Sequence, residues 1–126
     1  MKKIVFTVLT ILSLHAFAQK TVYIPSQFST SPWNQWSWDK SYQSTNFVIF
    51  WGSVVGTNPA TYSNPDLRFD PAQLAGFLEN SFAKFVNEVG FVTNTGNLGS
   101  RKIIVVMNDT YTGSGGPTGW ARIHDP

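Results

Sequence analysis

No cysteine occurs in the 126 residues, which excludes a disulfide framework and any thiolate metal site. Histidine is nearly as scarce: His15 lies in the first stretch of the chain and His124 close to its other end. One histidine beyond residues 1–18 cannot form a zinc site unaided, and no HExxH pattern occurs. A hydroxyl-nucleophile triad would need that same His124 as its base. Charge is also sparse. Nine basic residues face seven acidic ones, but two of the nine are Lys2 and Lys3; without them the balance is seven against seven. The basic character of the whole chain therefore belongs to its first residues. It gives no case for nucleic acid or an anionic membrane as partner.

Those first residues read as a secretory signal peptide over 1–18. Lys2 and Lys3 form its charged start, residues 4–14 its apolar core, and Ala16-Phe17-Ala18 the small-residue cut site, with Gln19 next. The apolar run is shorter than the roughly 20 residues that a spanning helix needs, so no membrane span is expected once the signal is removed. The expected location is extracellular or periplasmic. An aromatic-rich arm over 19–45 follows, and then an α/β segment over 46–126.

The stretch 70–91 organises that segment. Asp70 stands where an N-cap belongs, Pro71 at the first helical position and Gln73 at the capping-box position. Leu74, Phe77, Leu78, Phe82, Phe85 and Val89 recur at steps of three and four, predicting one apolar face. Gln73, Asn80, Lys84 and Asn87 take the other side. Gly90 supplies a left-handed stop, and Phe91 falls where a Schellman motif makes its apolar contact.

Two apolar runs flank this helix. NFVIFW (46–51) and RKIIVVM (101–107) read as strands buried on both faces. Strand, helix, strand with nothing pairing between them predicts a β-α-β unit with parallel strands and a right-handed crossover. Residues 21–24 suit a short edge strand ended by Pro25. The connection 52–69 carries the turn signals Gly56, Asn58-Pro59 and Asn64-Pro65, and 93–100 is again turn-rich.

Candidate site residues are few. Trp33, Trp36 and Trp38 fall within six residues; with Trp51 and Trp120 they offer stacking faces for a ligand, or else they clamp the arm over the core. Asp39, Asp66, Asp109 and Asp125 are scattered over loops, and Glu79 and Glu88 point to different sides of the helix. Asp109 is the carboxylate to follow, because it comes after the carboxyl end of a parallel strand. Asn108-Asp109-Thr110 matches a glycosylation sequon of low specificity. Gly113, Gly115, Gly116 and Gly119 lack the lysine and the spacing of a phosphate-binding loop, and Pro117 interrupts any following helix, so a surface loop is expected there.

Taken together, NFVIFWG, LRFDPAQLAGFLENSFAKFVNEVGF, RKIIVVMNDTYTGSG and GGPTGW, covering residues 47–120, resemble the opening part of a family of secreted bacterial zincin-like proteins. The resemblance implies an α/β fold: a β-α-β unit with one long backing helix on a small, incomplete sheet, like the N-terminal subdomain of metallopeptidases. In such proteins the metal-binding helix comes after further strands, so no ligand carries over to this sequence. The implied reading is an N-terminal fragment, inactive alone, of a metal-dependent peptidase. Zinc would be held only in a longer parent, and the partners would be an extracellular peptide and the missing C-terminal part of the same domain. The alternative is an extracellular carbohydrate-binding or interaction module that uses surface tryptophans.

Overall fold

A computed structural model describes residues 19–24, 37–112 and 120–121. Residues 1–18, where the signal peptide is expected, Trp33, Trp36, the glycine-rich residues 113–119, His124 and Asp125 lie outside these residues.

The fold is mixed α/β. Four strands, β1 (Ser41–Gln43), β2 (Phe47–Trp51), β3 (Ile103–Met107) and β4 (Trp120–Ala121), stand side by side in chain order. The pair β2/β3 is parallel, with Phe47 opposite Ile103 and Trp51 opposite Met107, as a β-α-β unit requires. β1 and β4 are antiparallel neighbours on either side. Within 19–45, the three residues of β1 join the sheet through the tight Ser44-to-Phe47 turn. The edge strand expected over 21–24 reduces to one parallel bridge between Thr21 and Arg101.

Helix α1 (Pro71–Phe82) starts as its sequence dictates. The Asp70 carboxylate accepts the N–H groups of Ala72 and Gln73 at 2.8 and 3.2 Å, satisfying two donors that the first helical turn leaves unpaired. At Ala83 the hydrogen bonding widens to a π-helical stretch, Ala83–Glu88. Val89 N–H bonds Lys84 O at 2.9 Å, and after the left-handed Gly90 (φ 67°) Phe91 N–H bonds Phe85 O. That last closure is one residue wider than a Schellman motif.

The widening corrects the expected apolar face. In an unbroken α-helix Phe85 and Val89 would continue the stripe of Leu74, Leu78 and Phe82. The π-turn delays their phase and leaves both exposed, while Phe77, one position before Leu78, stands on the flank at 61% exposure. Phe91 is 83% exposed, so the apolar contact of a Schellman end is not made. The buried stripe is Leu74, Ala75, Leu78 and Phe82.

Alternation along β2 divides the core between two faces. Ile49 and Trp51 pack against Ala75, Val55 and Leu67, with Val105 and Met107 beside them from β3. Phe47 meets Phe82 edge-to-face, the ring centroids 6.1 Å apart. On the opposite face Val48 and Phe50 are fully buried, and the Trp38 ring lies 5.2 Å from that of Phe50. β2 is thus buried throughout as expected, whereas β3 is only half-buried along its length. The long connection 52–69 is not loose: single helical turns at Ser53–Val55 and Pro59–Thr61 insert Val55 and Pro59 into the interior, and Leu67 is buried with them. A short helix α2 (Gly96–Ser100) lies within the turn-rich 93–100.

Candidate functional site

Two places concentrate polar chemistry, one at each end of the parallel strand pair. At the carboxyl end, helix α3 (Asp109–Thr112) begins directly after β3. Thr110 is buried; its hydroxyl accepts the Gly52 N–H at 2.7 Å and donates to Met107 O at 2.5 Å. One side chain therefore satisfies the backbone where both strands end. The fit needs glycine, since a Cβ on residue 52 would stand 2.4 Å from the Thr110 carbonyl oxygen. Next to it, burial pushes the Tyr111 hydroxyl up to about 12, and this hydroxyl has no hydrogen-bond partner among the described residues. Asp109 does head this turn, but the space where α/β sites gather is occupied by Thr110 and the α3 backbone.

The second cluster, at the amino end of the pair, is assembled from three distant segments. Glu79 of α1 accepts the Ser44 hydroxyl at 2.6 Å, the Asn46 N–H at 2.7 Å and the Asn46 side-chain amide at 2.6 Å. Burial raises its pKa, but these bonds and the nearby Lys20 ammonium outweigh burial and hold the carboxyl below its usual range. Lys20 in turn donates to Leu98 O at 2.5 Å and Asn94 Oδ1 at 3.0 Å, and its Nζ sits 4.7 Å above the Phe82 ring. Burial lowers the Lys20 pKa, and Glu79 partly restores it. Lys102, also buried, reaches across β2 to donate to Gln43 Oε1 at 3.0 Å. The Arg101 guanidinium stacks over Tyr23 at 4.5 Å.

Sequence reasoning passed over this second cluster. Its only local signals are a glutamate on the helix and a lysine at position 20, and the contacts bridge 33 to 78 residues of chain. Its chemistry is that of a clamp. One carboxylate takes up three donors from the turn that precedes β2 and so ties that turn to the helix.

The tryptophans do not form one platform among the described residues. Trp51 is 4% exposed and donates its indole N–H to Gly56 O at 3.0 Å, so no ring face is left for a ligand. This removes it from the stacking candidates, because the Phe69 ring and the apolar core enclose it. Trp38 is 55% exposed with one side against Phe50. The backbone of Trp120 lies in β4 opposite Val106. Glu88 is engaged on the exposed side of the helix by Lys84, four residues earlier, at 2.7 Å.

Among the described residues no group of three or more histidine, cysteine, aspartate or glutamate side chains is placed to hold a metal ion. No helix among them is long and apolar enough to cross a membrane. No curated protein and no solved structure matches the chain. A family of unknown function, DUF6055, matches residues 14–122, which is most of the chain and includes both polar clusters. The protein belongs to the DUF6055 family.

Proposed function

We propose that these residues are the N-terminal scaffold of a secreted zincin-like protein whose longer parent is a zinc-dependent peptidase, and that they carry no catalytic site alone. The observation behind this reading is the parallel β2/β3 pair backed on one face by α1, the arrangement that a zincin-like subdomain requires. The half-buried β3 adds to it, because a sheet of this kind gains stability from further coverage. The described residues do not fit zinc: a catalytic site needs three protein ligands, and no such group is present among them. No catalytic step is therefore assigned to any residue here. The part played by this segment is mechanical, with Thr110 and Glu79 fastening the two ends of the parallel strand pair. The test is to express the complete reading frame with its own leader. Stoichiometric zinc and chelator-sensitive cleavage of an unfolded protein substrate are expected. A complete product that retains no zinc and cleaves nothing refutes the reading.

One observation favours a second reading, an extracellular module that binds glycan or peptide. Trp38 is more than half exposed while its ring lies against that of Phe50, which leaves indole surface on which a ligand could stack. Quenching of tryptophan fluorescence by added polysaccharide, abolished in Trp38→Ala, would support it. Quenching that is identical in the variant, or absent from both proteins, refutes a role for this residue.

A further inference from the structure

We infer that the exported protein carries a modified N-terminus: Gln19, once released by cleavage after Ala18, closes into a pyroglutamyl ring. The inference rests on the secretion reading above, since the α-amine of Gln19 exists only after the signal is removed. Residues 16–18, Ala-Phe-Ala, place the cut directly before it.

The chemistry balances within one residue. The α-amino nitrogen, in its neutral form, bonds to the side-chain carbonyl carbon Cδ, and the Cδ–Nε2 bond breaks. The proton lost by the attacking nitrogen goes to the departing amide nitrogen, which leaves as ammonia. No oxidant, nucleotide or second substrate enters. An α-amine titrates near pH ~7.7, so a substantial fraction is neutral and nucleophilic close to neutrality.

The structure supplies the conditions for this closure and a reason for it. Gln19 is exposed, so its side chain can fold back on its own amine. The very next residues are fixed. Lys20 is anchored to Leu98 and Asn94, Thr21 N–H donates to Ser100 O at 3.0 Å, and Thr21 O accepts the Lys102 N–H at 2.8 Å. Gln19 is thus the first residue outside the sheet-edge contacts. Left open, it would place an ammonium one residue from Lys20, whose own ammonium has Glu79 as its nearby carboxylate. Ring closure removes that charge. It also denies aminopeptidases the free amine from which they would strip Lys20 and Thr21, whose hydrogen bonds tie this edge to Leu98, Ser100 and Lys102.

The experiment is to express the precursor with its own leader in a secreting bacterial host and to recover the exported protein. Its N-terminal peptide is examined by mass spectrometry and by α-amine labelling. The expected peptide begins at residue 19, is lighter by one ammonia and takes no α-amine label. The same peptide from Gln19→Ala has its full mass and labels completely. A wild-type peptide that begins at Gln19 with full mass and a labelled amine overturns the inference and leaves the secretion reading standing. A chain that keeps its leader, or begins elsewhere, overturns both the cut site and the inference.

Discussion

Replacing Glu79 tests whether the clamp at the amino end of the strands holds the sheet to its helix. The carboxylate receives three donors: the Ser44 hydroxyl, the Asn46 N–H and the Asn46 amide. A net hydrogen bond is worth about 1 kcal/mol, more with a charged partner and less where water can substitute. Since these groups are only part-buried, Glu79→Ala should cost about 2–3 kcal/mol in urea unfolding. Glu79→Gln keeps an acceptor for Ser44 and the Asn46 N–H but drops the charge, and should cost about 1 kcal/mol.

The pH dependence separates charge from shape. Glu79 has a folded pKa below its unfolded value, which is near pH ~4.3. At higher pH the carboxylate is ionised in both states and its full contribution is present. As pH falls below the unfolded value, the unfolded chain takes up the proton first, and the contribution disappears through the folded pKa. Lys20 keeps its charge throughout this acid range, so it does not confuse the sign. The stability gap between wild type and Glu79→Gln should therefore be constant from about pH 7 to about pH 5 and close below pH ~4. Parallel curves down to about pH 3 would refute the charge argument, and an Ala variant as stable as wild type would refute the clamp itself.

Other substitutions probe the remaining contacts. Gly52→Ala forces a Cβ to 2.4 Å from the Thr110 carbonyl and disturbs the Gly52–Thr110 hydrogen bond. A loss of about 2–4 kcal/mol is expected by chemical denaturation, and a change within ~0.5 kcal/mol would show that α3 does not abut this residue. Phe82→Ala removes a ring buried against Phe47 and should cost about 3–5 kcal/mol, whereas Phe77→Ala, on the exposed flank, should stay within ~0.5 kcal/mol. Reversal of that order in thermal unfolding would mean that the helix presents its other side to the sheet. Double replacement of exposed Phe77 and Phe85 by serine should reduce self-association measured by light scattering and leave the fold intact; greater association would contradict their exposure.

What could be read from the sequence was what short-range chemistry decides. Asp70, Pro71 and Gly90 mark the ends of the helix because each acts on backbone groups within a turn or so of itself. β2 was legible for a similar reason: five consecutive apolar residues leave no face for water. The errors arise where local pattern and three-dimensional packing diverge. Phe85 and Val89 keep helical spacing in the sequence, but periodicity assumes uniform turns, and the π-turn from Ala83 breaks that assumption just before them. Phe91 follows its glycine as a Schellman contact should, yet the same widening leaves it in solvent. β1 consists of Ser41, Tyr42 and Gln43, with no strand signature of their own; their conformation comes from pairing with Phe50, Ile49 and Val48.

The candidate site obeys the same logic more strictly. Asp109 was identifiable because its position after a strand is a sequence property, but the residue that fills that end is Thr110, whose hydroxyl acts only once β2 and β3 are adjacent. Glu79, Lys20 and Asn46 carry no motif, and their meaning depends on a helix, a turn and an N-terminal segment arriving at one point. A motif records function when a ligand imposes its geometry on neighbouring residues. Here the polar residues answer to one another across the fold, which is why composition and spacing located the scaffold but not the clamps that close it.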